Sequence, residues 1–167
     1  MPAWALAIAY WLHMAATIVW IGGLFFQAAI LAPAIAHSTP SPSRAGLLLA
    51  VRRRFEPLAW LSLSVLAFTG MTQMAASPHY AGFLQIHDAW SAAILAKHAV
   101  IVIMVCAAAF QTWIIQPRLD RMVILSAHGA SAAEGMEPLL SRQARLSSAN
   151  LILGLIVLAL TAIARSA

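Results

Sequence analysis

The chain has 167 residues, of which 62% are hydrophobic and only 9% charged, with a formal net charge of +5. Its mean hydropathy is +0.85. A soluble domain carries roughly 25% charged residues, so this composition excludes a water-covered globule and points to an integral membrane protein.

Four stretches reach the length of about 20 apolar residues that crosses a bilayer: residues 4–34, 55–76, 89–115 and 146–164. They predict an all-α integral membrane protein, a four-transmembrane-helix bundle forming a single four-helix membrane domain over residues 1–167. The first stretch is read as a retained helix although Ala34-Ile35-Ala36 resembles a cleavage site. No Lys or Arg precedes it, and it far exceeds the signal-peptide h-region of about 7 to 15 residues. Pro33, Pro40 and Pro42, set among Ser and Thr, are expected to end it. The first connection then carries Arg44, Arg52, Arg53 and Arg54, and Arg52 to Arg54 with Glu56 read as an interfacial anchor for anionic lipid.

The second stretch is closed by Ser77-Pro78, and the connection that follows, residues 77–88, has no Lys or Arg. The third contains Lys97, His98 and the single cysteine, Cys106, which reads as a small buried hydrophobe and excludes an intrachain disulfide. Pro117 is expected to close it, and the segment from Met122 to Pro138 reads as a loop with a short interfacial helix at most. This third connection carries Arg118, Arg121, Arg142 and Arg145. Both Arg-bearing connections are therefore predicted to be cytoplasmic and both termini outside, N-out and C-out. A short chain of this topology fits a bacterial inner (plasma) membrane. Topology accounts for the positive charge, so the expected partner is the lipid bilayer and no nucleic acid is invoked. Asn150, near the cytoplasmic end of the fourth stretch, is expected to hydrogen-bond across helices.

Titratable groups inside apolar spans are costly, roughly 2.5 to 3.5 kcal/mol for a central Lys on insertion scales, and mark sites by default. His13 lies about nine residues into the first stretch, a descent of roughly 13 Å at 1.5 Å per residue. Lys97 and His98 lie about eight and nine residues into the third, placing all three donors in one outer layer. Successive helical residues diverge by about 100°, so only one of Lys97 and His98 is expected to face a common point with His13. A haem b held edge-on between the two helices needs one axial donor from each, imidazole or a neutral amine. Ala15, Ala16, Ala92, Ala93, Ala96 and Ala99 flank the donors and would leave room for a flat ring. His79, His87 and Tyr80 are placed as neighbours of its acidic side groups. Copper(I) prefers thioether and imidazole donors, which His13, Met14, Met71, Met74, His79 and His87 could supply.

The segment Leu12-His13-Met14-Ala15-Ala16-Thr17-Ile18-Val19-Trp20-Ile21-Gly22-Gly23-Leu24-Phe25-Phe26 resembles the first-helix motif shared by CopD copper-resistance domains and HemJ-type protoporphyrinogen oxidases, with a His, a Trp seven on, then Gly. Arg53-Arg54-Phe55, Phe68-Thr69-Gly70 and Leu95-Ala96-Lys97 are more similar to CopD. The CopD resemblance implies copper uptake or tolerance. The HemJ resemblance implies haem b held by a first-helix His and a third-helix Lys, here His13 and Lys97. Gln27-Ala28-Ala29 stands where the HemJ pattern has Pro-Arg. Gly22 and Gly23 would let a neighbouring helix or a flat ligand approach the backbone, and Trp20 reads as packing or as a wall of the site.

The leading expectation is a membrane protein that binds haem b as a one-electron carrier or haem-dependent oxidoreductase. Its axial ligands would be His13 with either His98 or Lys97. Its donor would be a quinol or a porphyrin-like molecule, and its acceptor a redox partner. The alternatives are a copper(I) uptake or tolerance protein and a structural subunit of a larger membrane complex.

Overall fold

A computed structural model describes residues 2–36, 41–80, 82, 85–86, 88–128 and 133–166. Helix α1 (Ala3–Phe25) continues through a π-helical turn (Phe26–Leu31) into α2 (Ala32–Ala36), and α3 spans Ser41–Ala75. Helix α4 (Ala89–Phe110) continues through a second π-helical turn (Gln111–Ile115) into α5 (Gln116–Ala127), and α6 spans Ala133–Ser166. No strand occurs among the described residues. Four helical rods are long and apolar enough to cross a membrane: Ala3–Ile35, Ser43–Ala75, Ala89–Ser126 and Gly135–Arg165. Large apolar side chains on all four, such as Ile18, Phe68, Val102 and Ile152, face outward, as a lipid-solvated bundle requires. The all-α, four-span expectation holds.

At the Arg-bearing end the helices run past the apolar stretches. Helix α3 has 35 residues, about 52 Å at 1.5 Å per residue, against a hydrocarbon core of about 30 Å. Arg44 and Arg52 to Arg54 thus lie on α3, Arg118 and Arg121 on α5, and Arg142 and Arg145 on α6, rather than in loops. Apolarity marks which residues dissolve in lipid, whereas the helix itself persists wherever propensity and packing support it. The Met122–Pro138 segment is likewise mostly helical, with residues 129–132 outside the described residues.

Two prolines expected to stop helices do not. Pro33 and Pro117 each follow a π-helical turn by two residues. A proline lacks an N–H and its ring collides with the carbonyl four residues back. The wider i→i+5 turn absorbs that defect, so the chain bends without breaking. Ser77-Pro78 does close the second span, α3 ending at Ala75. Helix α4 starts at a capping box in which the Asp88 carboxylate accepts from Ser91 N–H at 2.7 Å and Ser91 Oγ accepts from Asp88 N–H at 3.1 Å. Cys106, expected inside, is exposed on the lipid-facing side of α4, because the inward positions of that helix are taken by Ala93 and Met104.

Helix α1 packs chiefly on α3, and α4 chiefly on α6. The two pairs are joined at the Arg-bearing end. There Ala45 and Leu49 of α3, Ile115 and Leu119 around the second π-turn, and Met136 and Leu140 of α6 form one buried apolar cluster. Arg44 pairs with Glu137 across α3 and α6, and Arg53 with Asp120 at 2.7 Å across α3 and α5. Arg52 Nη1 donates to Gln111 Oε1 at 2.8 Å. Arg52 and Arg53 therefore hold helices together rather than serving only as lipid anchors. At the opposite end α4 makes no extensive contact with α1 or α3 among the described residues and stands off from that pair, while α6 stays in contact with α1, Arg165 lying over the Tyr10 ring.

The apolar cluster outweighs the ion pairs. Leu119 is 1% exposed, and Leu119→Ala should cost about 2 to 5 kcal/mol. Asp120→Ala should cost under about 1 kcal/mol, because its pair with Arg53 is largely solvated. Thermal unfolding of the detergent-solubilised variants would check this order.

Candidate functional site

The splayed end encloses a cleft of about 900 Å³ walled by α1, α3, α4, α6 and the turn after α3. Its surface is mostly apolar, with Leu63, Leu66, Ile94, Ile101, Val157 and Leu158 in the walls. His13, Lys97 and His98 all line it. Lys97 and His98 both reach the same space despite their 100° divergence, because the cleft is wide enough to take side chains from two positions of α4.

The imidazole of His13 is held from α3. Thr69 Oγ donates to Val65 O at 2.6 Å, and His13 Nδ1 lies 2.8 Å from the same hydroxyl. With the hydroxyl proton used on Val65, the contact is made by His13 Nδ1–H, which leaves Nε2 bearing the lone pair. The ring lies against Gly70, where a Cβ would stand in ordinary contact with His13 Cε1 at 3.4 Å. Gln73 Nε2 donates to Ala9 O at 3.2 Å, fastening α3 to α1 near the ring, while Thr17 Oγ donates back to His13 O at 2.7 Å within α1. Thr69 was legible only as part of a Thr-Gly motif; its hydroxyl orients the His13 ring.

On α4, His98 Nδ1 lies 2.7 Å from Ile94 O, one turn back. A carbonyl only accepts, so Nδ1 carries the proton and Nε2 the lone pair. Lys97 has no hydrogen-bond or ion-pair partner among the described residues. Arg165, at the end of α6, also lines the cleft, with its guanidinium 4.8 Å from the Tyr10 ring centroid. No Asp or Glu among the described residues lines this cleft, so its charged groups are cationic. Arg165 had no distinguishing signal in the sequence, where it is one basic residue near the C-terminus.

The remaining candidates divide. Met14, Met71, Met74 and His79 line the cleft. Met74 is buried, whereas Met14 and Met71 are 65% and 60% exposed. His79 Nδ1 is 3.3 Å from Asp88 Oδ2, and its ring lies near Trp90. His87 lies outside the described residues, and Tyr80 is not in the cleft wall. Trp20 is 6% exposed and lies in the wall. Gly22 and Gly23 are not in it. Gly22 is outward-facing, and Gly23 is the seat of the Phe55 ring, which occupies the space a Cβ would need. Of the two, Gly23 alone serves the α1–α3 contact. Nor do the flanking alanines line the cleft; Ala16 and Ala93 are buried in helix packing, and the open space comes from the splay of the helix pairs. Among the described residues no group of three or more His, Cys, Asp or Glu could hold a metal ion.

No curated protein and no solved structure matches the chain. A family model does: that of copper resistance protein D matches residues 49–164. The match takes in Thr69-Gly70, Lys97 and His98 but begins after His13. It covers well over half of the chain, which therefore belongs to the CopD family of copper resistance protein D membrane domains.

Proposed function

We propose that, beyond the copper-related association of its family, the chain binds haem b in the cleft as a one-electron carrier, with His13 and His98 as the axial pair. The supporting observation is two imidazoles on different walls of one cleft, each with Nδ1–H engaged and the lone pair on Nε2. An outer hydrogen bond of this kind sets the tautomer and the ring orientation of a metal-binding histidine.

The fit has three further parts. A volume of about 900 Å³ lies at the upper end of the roughly 300–1,000 Å³ range of cofactor and ligand pockets and is far larger than a bare ion needs. The apolar walls suit a macrocycle and exclude water. Lys97 and Arg165, facing a cleft with no carboxylate among its described residues, suit the two carboxylates of haem and oppose a bare cation. In this reading His13 and His98 bind, Thr69 orients, and Lys97 and Arg165 receive negative charge. Haem bound there would supply one-electron exchange. Lys97 as the axial donor in place of His98 is the variant implied by the HemJ likeness.

The proposed setting is a single membrane domain in a bacterial inner membrane. The Arg-bearing end faces the cytoplasm and both termini and the cleft face outside, following the distribution of positive side chains. The partners on this reading are a quinol or porphyrin-like donor and an outer redox acceptor.

A second reading has a specific basis: copper(I) as cargo. His13, Met14, Met71 and Met74 line one cleft, and these are soft donors of the type Cu(I) selects. It accords with the family description.

Oxidised and dithionite-reduced spectra of the purified protein, with metal analysis of the same sample, separate the two. Haem predicts a Soret band with sharp reduced α and β bands at about one haem per chain. On that reading His13→Ala and His98→Ala each abolish the low-spin spectrum, while Lys97→Met leaves axial ligation intact. A colourless, copper-containing protein favours the cargo reading, and a colourless, metal-free protein from cofactor-replete cells overturns both.

Thr69→Val keeps the side-chain shape and removes the acceptor for His13 Nδ1–H. Loss of such a partner typically lowers affinity by about 10- to 100-fold, so haem occupancy in titrations should fall by that order, with a loss of stability of about 1 to 3 kcal/mol from the unmet His13 donor.

A further inference from the structure

A second, much smaller cavity of about 50 Å³ lies between the cleft and the Arg-bearing end. All four helical rods contribute to it: Gln27 from the first π-turn, Arg52 and Glu56 from α3, Gln111 from the second π-turn, and Ser147 and Asn150 from α6. So polar a lining is unusual in helices whose other faces are apolar.

Most of these groups are satisfied by one another. Gln111 Oε1 accepts from Arg52 Nη1 at 2.8 Å and from Ser147 Oγ at 3.1 Å, which uses both of its lone pairs. With the Gln116 amide in the orientation that suits both neighbours, its nitrogen donates to Glu56 Oε2 at 3.0 Å and its oxygen accepts from Arg52 Nε. Asn150 is not fully satisfied. It is 1% exposed, its Nδ2 donates to Met104 O at 3.4 Å, and its Oδ1 has no hydrogen-bond partner among the described residues.

The missing partner must donate a hydrogen bond and fit within about 50 Å³. Water meets both conditions, since a water needs roughly 10–15 Å³ of such volume and two to four polar partners. A quinol head group is too large, and a metal cation would be opposed by the Arg52 guanidinium in the wall. The cavity and the cleft share one residue among their described walls, Trp20, which is 6% exposed.

We propose that the small cavity is a water-binding site in which water donates to Asn150 Oδ1, and that the Trp20 indole is the seal between this water and the outer cleft. The two cavities stand on either side of one side chain. Without it, a polar passage would run from the cleft to the Arg-bearing end, and a membrane protein with such a passage would leak protons.

Asn150 is the only asparagine in the chain, so selective 15N-asparagine labelling gives one side-chain amide signal. In lipid vesicles, solid-state NMR transfer of polarisation from water should reach that amide, and Ala108→Leu, which fills the cavity, should abolish the transfer. Absence of transfer in the unaltered protein would mean a dry cavity and overturn the water site. Proton leak in vesicles carrying a pH-sensitive dye tests the seal: Trp20→Ala should speed dissipation of a pH gradient several-fold, and Trp20→Phe should not. An unchanged leak in Trp20→Ala, with its Asn150 spectrum showing a folded protein, overturns the seal. Neither readout requires haem or copper, so both stand apart from the function proposed for the cleft.

Discussion

Hydrocarbon offers no hydrogen-bond partner, so every polar group carried into the span must be satisfied within the bundle or by a ligand. That constraint organises the molecule. Backbone groups are satisfied by helix formation, including the two π-helical turns that carry the chain past Pro33 and Pro117. Polar side chains are collected into a few shared clusters and kept off the lipid-facing surface, which is left to Ile18, Phe68, Val102, Ile152 and their neighbours.

The same constraint explains why the two ends differ. At the Arg-bearing end, where helices emerge from the hydrocarbon, burial of Leu49, Ile115, Leu119 and Met136 is driven by water and closes the bundle. Within the lipid no such force draws the helix pairs together, because lipid tails are as apolar as the side chains they would displace. Contacts there depend on fitted surfaces, such as Phe55 on Gly23, and on single hydrogen bonds, such as His13 to Thr69. Where neither joins the pairs, the bundle opens into the cleft.

Much of this was legible in the chain. Composition and the lengths of the apolar stretches led directly to four spanning helices. Counting residues from the helix ends placed His13, Lys97 and His98 at similar depths, and all three do line one cleft. Other readings failed for identifiable reasons. Proline predicts a stop because a π-turn has no signature in a single sequence, and Arg-rich segments read as loops because hydropathy reports lipid solubility and not helicity. The Asp88-x-x-Ser91 cap was present but lies next to a span start already indicated by apolarity. Gly22 and Gly23 looked alike, yet only Gly23 receives an aromatic ring.

What the sequence by itself determined is the solvent and the secondary structure: lipid around four helices, because length and apolarity are properties of each segment alone. Tertiary structure decided which faces meet. It turned Thr69 toward His13, brought Arg165 from the chain end to the Lys97 cleft, sent Cys106 outward to lipid, and gathered Gln111, Ser147 and Asn150 around one small cavity. These are relations between helices distant in sequence, fixed by their rotation and splay. In a chain apolar on nearly every face, no amphipathic stripe announces either.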